Sequence, residues 1–172
     1  MSGTQGACDY LGQVFTLIGV VVGGGITFGI NVYNSKRSLA TTERKELIKR
    51  IGDIVHLVIE SNEYLKSRYD FASSLLNHTE PPKVVESVPA EKIQALVRID
   101  APFHEESYFV FKNQCDVFYQ NYGRLVWKIE NHQMIGDLFF DLGNELRSAL
   151  SFGSDFIDIL LKTIENERNK LK

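Results

Sequence analysis

"LGQVFTLIGVVVGGGITFGINVY", residues Leu11 to Tyr33, runs for 23 residues without a charged side chain. Gly19, Gly23, Gly24, Gly25 and Gly29 stand among its Val, Ile, Leu and Phe residues. In water each glycine weakens a helix by about 1 kcal/mol relative to alanine. Inside a bilayer the balance reverses, because an unpaired backbone amide costs several kcal/mol and holds even a glycine-rich segment helical. At ~1.5 Å per residue the run would measure about 34 Å, against a hydrocarbon core of about 30 Å. Gln13, Thr16, Thr27 and Asn31 are its strongly polar side chains, and Gln13 and Asn31 fall near its ends. Tyr10 and Tyr33 flank it, where amphipathic rings favour the membrane interface. A cleaved signal peptide would need a basic start and a shorter apolar region, and no Lys or Arg precedes the run. The sequence therefore predicts a transmembrane helix over residues 11–33, preceded by a short extracytoplasmic segment, residues 1–10.

Outward from the run, charge becomes uneven. Lys36, Arg37, Arg44, Lys45, Lys49 and Arg50 face only Glu43 and Glu46, a local excess of four positive charges. From Ile51 onward 13 basic residues face 19 acidic ones. By the positive-inside rule the basic cluster marks the cytoplasmic side, so residues 34–172 are expected in the cytoplasm. The cluster can also hold anionic headgroups at about 1 kcal/mol per basic residue. The acidic distal part argues against nucleic acid as a partner, since gripping phosphates needs clustered Lys and Arg. The Asn77 sequon, "NHT", is accidental in this orientation.

The glycines also have a spacing. Gly19, Gly23 and Thr27 recur every four residues, as do Gly25 and Gly29. A row of small residues lets two helix backbones approach closely in lipid. Over about ten residues the pattern resembles the dimerisation face of the glycophorin transmembrane segment, which implies a homo-oligomer through the span.

The remainder reads as all-α. Leu47, Ile51, Ile54, Val58, Leu65, Ala72 and Leu75 keep three-four spacing, with Ser61 and Arg68 at the two polar interruptions. Ile48, Val55, Ile59, Tyr69 and Leu76 widen the stripe, as a bundle helix requires. A proline-containing loop is expected over residues 77–89, where Pro81, Pro82 and Pro89 fall, and a short helix to about Ile99. Asp100 reads as the cap of a third helix with Pro102 in its first turn. That helix presents Tyr108, Phe111, Cys115, Phe118, Tyr122, Leu125 and Ile129 on one face. Asn131 to Gln133 form the turn. A last helix, about Met134 to Leu171, presents Ile135, Leu138, Leu142, Leu146, Ala149, Phe156, Leu160 and Ile164. The expected architecture is a single transmembrane helix followed by a cytoplasmic antiparallel bundle of three long helices and one short. Phe109, Tyr119 and Trp127 lie off the strict stripe and are candidates for an exposed docking patch.

Signals for chemistry are few. Cys8 and Cys115 make no disulfide framework or metal site, and Cys115 falls on the apolar stripe. The glycines of the run lack the Lys-Ser/Thr ending and the strand context of a phosphate loop. Asp53 and His56 form one half of a carboxylate–histidine pair without a second copy. No cofactor and no metal are expected. Arg50 and His56 in "RIGDIVH" are similar to the Arg–His signature of the HEPN ribonucleases, and that resemblance implies an RNA-cleaving site at these two residues. In layout the chain resembles small bacterial membrane proteins with a glycine-rich first span, basic residues and a helical tail, which implies the bacterial inner membrane. The leading expectation is a membrane-anchored protein without enzymatic activity that docks an unidentified protein partner on its bundle. The alternative is an effector whose spans assemble into a membrane pore.

Overall fold

The computed structural model describes the backbone of residues 4–82 and 90–171, with side chains from residue 27 onward except residue 28. The described residues are helical, with no strand among them. Helix α1 covers Thr4–Leu76, α2 Ala90–Asp100, α3 Glu105–Glu130 and α4 Leu138–Asn169, with a 3-10 turn at Pro102–His104 between α2 and α3. The chain divides into two compact units, Met1–Arg44 and Lys45–Lys172.

In the first unit the described side chains bury nothing. Ile30, Tyr33 and Leu39 are each more than half exposed. The hydroxyls of Thr41 and Thr42 donate back to the carbonyls of Arg37 and Ser38, at 2.8 and 3.0 Å, as they do where no other partner competes. Most of the run at 11–33 carries side chains outside the described residues. Among the described residues no helix is long and apolar enough to cross a membrane.

The second unit is a bundle with a continuous core. Ile51, Ile54, Val58, Leu65 and Ala72 of α1 are buried, as the three-four spacing predicts, whereas Ile59 stands exposed. Both polar interruptions of that stripe are accommodated. Ser61 is small enough to be buried, and the Arg68 guanidinium lies over the rings of Tyr64 and Tyr122 while its Nε donates to Tyr64 Oη at 2.8 Å. Ile93 and Val97 of α2, Phe111, Phe118 and Leu125 of α3, and Leu142, Phe156 and Leu160 of α4 complete the core. Burying each such side chain contributes about 1.5–3 kcal/mol.

Helix directions follow from the side-chain pairs. Asn121 donates to Glu145, Ser148 donates to Gln114, and His104 meets Thr163, so α3 and α4 are antiparallel. Tyr69 and Asn62 of α1 lie against Gly143 and Gly153 of α4, also antiparallel. Tyr64 of α1 packs on Tyr119 of α3, with ring centroids 5.9 Å apart. Arg50 meets Asp100, and the Tyr108 hydroxyl donates to the Ala90 carbonyl, so α2 runs back along the first half of the unit.

Two expectations about helix ends need correcting. Asp100 caps nothing: it is the last residue of α2, nearly buried, with its carboxylate 3.3 Å from Arg50 Nε. The break belongs to Pro102, which disfavours helical backbone in the residue before it, and Ala101 adopts φ −141°. Glu105 and Glu106 do occupy the first turn of α3. The last helix begins at Leu138 rather than Met134, because Gly136 at φ +54° prolongs the turn. The turn starts as expected at Asn131. There His132 adopts φ +55°, its N–H donates to the Ile129 carbonyl and that of Gln133 to the Lys128 carbonyl. This is the Schellman ending of a helix, with histidine at the position glycine usually takes. The end of α1 is built similarly, with His78 at φ +52° and the Thr79 N–H on the Ser74 carbonyl.

Candidate functional site

Arg50, Asp53, His56 and Glu60 stand on one side of α1, three or four residues apart, which brings them onto a common helix face. Lys92 and Leu96 of α2 lie opposite, and together the six residues border a cleft of about 500 Å³. The two residues that resemble the HEPN signature thus share one cleft. Each is engaged: Arg50 with the buried Asp100, and His56 Nδ1 with Glu60 Oε1 at 3.3 Å. Asp53 and Glu60 set two carboxylates against Arg50 on the same wall and Lys92 on the facing one. A cleft balanced in this way has little attraction for a phosphate backbone. Lys92 and Glu60 escaped the sequence reading. The signal for Glu60 was its place four residues after His56 on one face, whereas Lys92 depends on a contact between helices.

The basic cluster is spread over both units. Lys36 and Arg37 in the first unit are exposed, as are Lys45 and Lys49 in the second. Arg50 differs from them because its Nε is committed to Asp100. Of the glycine row, Gly19, Gly23 and Gly25 carry no described surroundings. Thr27 is exposed, and a Cβ built on Gly29 would meet nothing within 4 Å.

The aromatic candidates separate. Tyr119 packs against the core with Tyr64 and Phe118, and Phe109 lies partly buried beside Tyr108. Trp127 alone among the three is exposed, at 54%. It borders a second cleft of about 530 Å³ with Gly123, Arg124, Lys128 and Leu138, at the end of the bundle where α3 turns into α4. Gly123 leaves open space beside the indole, since a Cβ there would meet nothing within 4 Å. Met134 and Phe140, strongly exposed, follow in the turn and on the first residues of α4.

Among the described residues reactive groups are scarce. Burial, aided by Asp116, pushes the Cys115 thiol up to about 12, which makes it a packing residue rather than a nucleophile. Burial likewise raises the phenols of Tyr108 and Tyr119 above their ordinary range. Among the described residues no group of three His, Cys, Asp or Glu side chains could hold a metal ion. The chain matches no known protein family, no curated protein and no solved structure.

Proposed function

We propose that the protein is a single-pass, membrane-anchored interaction or regulatory protein without enzymatic activity, its helical bundle presented to the cytoplasm of a bacterial cell. The observation that carries the reading is the uncharged run Leu11–Tyr33, followed at once by the basic cluster Lys36 to Arg50. A segment of that length and apolarity is stable in oil and costly in water. The bundle supplies packed helices and an exposed aromatic cleft, which suit docking better than bond chemistry. The small-residue row offers a route to homo-oligomers through the span. Because the space beside Gly29 is open in the single chain, Gly29→Ile leaves the monomer undisturbed and reports on contacts between chains.

Protease protection tests the reading. In inside-out membrane vesicles added protease should digest the bundle, and in right-side-out spheroplasts it should leave it intact. Digestion in spheroplasts would reverse the orientation, and recovery of the protein in the soluble fraction would remove the anchor.

A second reading, RNA cleavage by Arg50 and His56, is favoured by the cleft that both residues line. Unchanged RNA cleavage on His56→Ala, or no cleavage by the intact protein, disposes of it.

A further inference from the structure

The cleft around Trp127 differs electrostatically from the one beside Arg50, which Asp53 and Glu60 line. Arg50, Lys66, Arg98, Lys112 and Lys170 each meet a carboxylate. Arg124 and Lys128 do not: Arg124 donates to the Asn121 side-chain oxygen at 3.3 Å, and Lys128 to the Met134 carbonyl at 3.2 Å. Two cations hydrogen-bonded to neutral acceptors, with Glu145 acting on Arg124 only through space from outside the cleft, therefore flank an exposed indole and Leu138, and among the described residues no acidic side chain lines the cleft. This occurs on a stretch of chain, from Ile51 onward, where acidic residues outnumber basic ones 19 to 13. Trp and Arg are the side chains that most often carry binding energy at protein interfaces, and a cleft of this size admits one or two side chains.

We propose that the Trp127 cleft docks an acidic, apolar peptide segment of a protein partner. One large apolar side chain lies on the indole and Leu138, and flanking carboxylates meet Arg124 and Lys128. Charge complementarity selects this occupant. A short acidic segment replaces the neutral acceptors with ionised ones, so that both partners of each bond carry charge. A nucleic acid would bring its whole phosphate backbone against the surrounding acidic surface. This inference rests on the reading of the bundle as an interaction module and names the chemistry of its partner.

Trp127 is the chain's one tryptophan, so its emission reports on the cleft without a label. Full-length protein in lipid nanodiscs is titrated with nine-residue peptides carrying a central Phe or Leu among Asp and Glu, and with the same peptides carrying Lys in place of the acids. The expected result is a blue shift with the acidic peptides, weakened about tenfold or more by Arg124→Glu or Lys128→Glu and lessened by salt. Equal shifts with the lysine peptides, no shift with the acidic ones, or indifference to both substitutions would overturn the proposal. A response to oligonucleotides alone, or to protein concentration alone, would overturn it in favour of a nucleic acid or a second copy. Loss of the protein from membranes with the peptide response intact would defeat the anchor but leave the cleft. A firmly anchored protein without the response would do the reverse.

Discussion

In the second unit Ile54, Val58 and Leu65 are wholly removed from solvent, whereas Ile30, Tyr33 and Leu39 in the first unit stand more than half exposed on the same helix, α1. The two stretches differ in pattern. Residues 47–75 alternate apolar and polar positions at helical spacing, so one stripe finds cover in α2, α3 and α4. Residues 11–33 are apolar all round, and no single neighbouring face can cover a helix of that kind. Tertiary packing of a stripe accounts for helical structure in the second unit; on the anchored reading proposed above, the first stretch owes its helix instead to the backbone hydrogen bonds that lipid enforces.

The contrast can be broken most severely in the core. Phe118 is fully buried, and Phe118→Ala should cost about 3–5 kcal/mol of bundle stability, read from urea unfolding followed by Trp127 emission. Leu39→Ser, on the exposed side of the comparison, should leave the same unfolding curve within about 0.5 kcal/mol. A large loss from the second substitution would show that the first unit has a packed partner.

Glycines sharpen the comparison at smaller scale. A Cβ at Gly153 would stand 2.6 Å from Asn62 Oδ1 and 3.0 Å from Phe111 Cε2. Gly153→Ala should therefore destabilise by about 1–3 kcal/mol from overpacking, partly offset by helix propensity. Gly52→Ala, with nothing within 4 Å, should stabilise by up to about 1 kcal/mol. At the end of α3, His132→Gly should gain about 0.5 kcal/mol by relieving a side chain in the left-handed region, less the extra freedom of glycine in the unfolded chain.

The smallest effect is a slope with pH. Burial raises the Glu145 carboxyl above its ordinary value, with the hydrogen bond from Asn121 opposing, and its Oε2 is buried without a partner. Between about pH 4.3, the unfolded value, and the raised native value, the folded chain keeps a proton that the unfolded chain has released. Stability from this residue therefore falls as pH rises across that window. Glu145→Gln should flatten the dependence of the urea midpoint on pH, and an unaltered slope would place the titration elsewhere.

Helix order and buried stripes were legible because each rests on local spacing, whereas the expected separate span and first bundle helix are one helix, Thr4–Leu76. Tyr108, Phe111, Cys115, Phe118 and Leu125 are the buried face of α3 that their three-four recurrence predicts. The turns were legible from Pro81, Pro82 and the Asn-His pairs, though not the Schellman geometry that places histidine in the left-handed region. Asp100 misled because its residue type and the following proline suit a cap, while its real partner, Arg50, is distant in sequence. The clefts were hidden for the same reason. Lys92 beside Glu60, and Leu138 beside Trp127, are neighbours only once the helices have packed.

The claim on which the anchored reading depends is that the glycine-rich run resides in a bilayer. Washing membranes from cells making the full-length chain with alkaline carbonate tests it directly. The protein should remain in the pellet with integral membrane proteins. Its release into the wash, with the bundle still folded by Trp127 emission, would contradict the account.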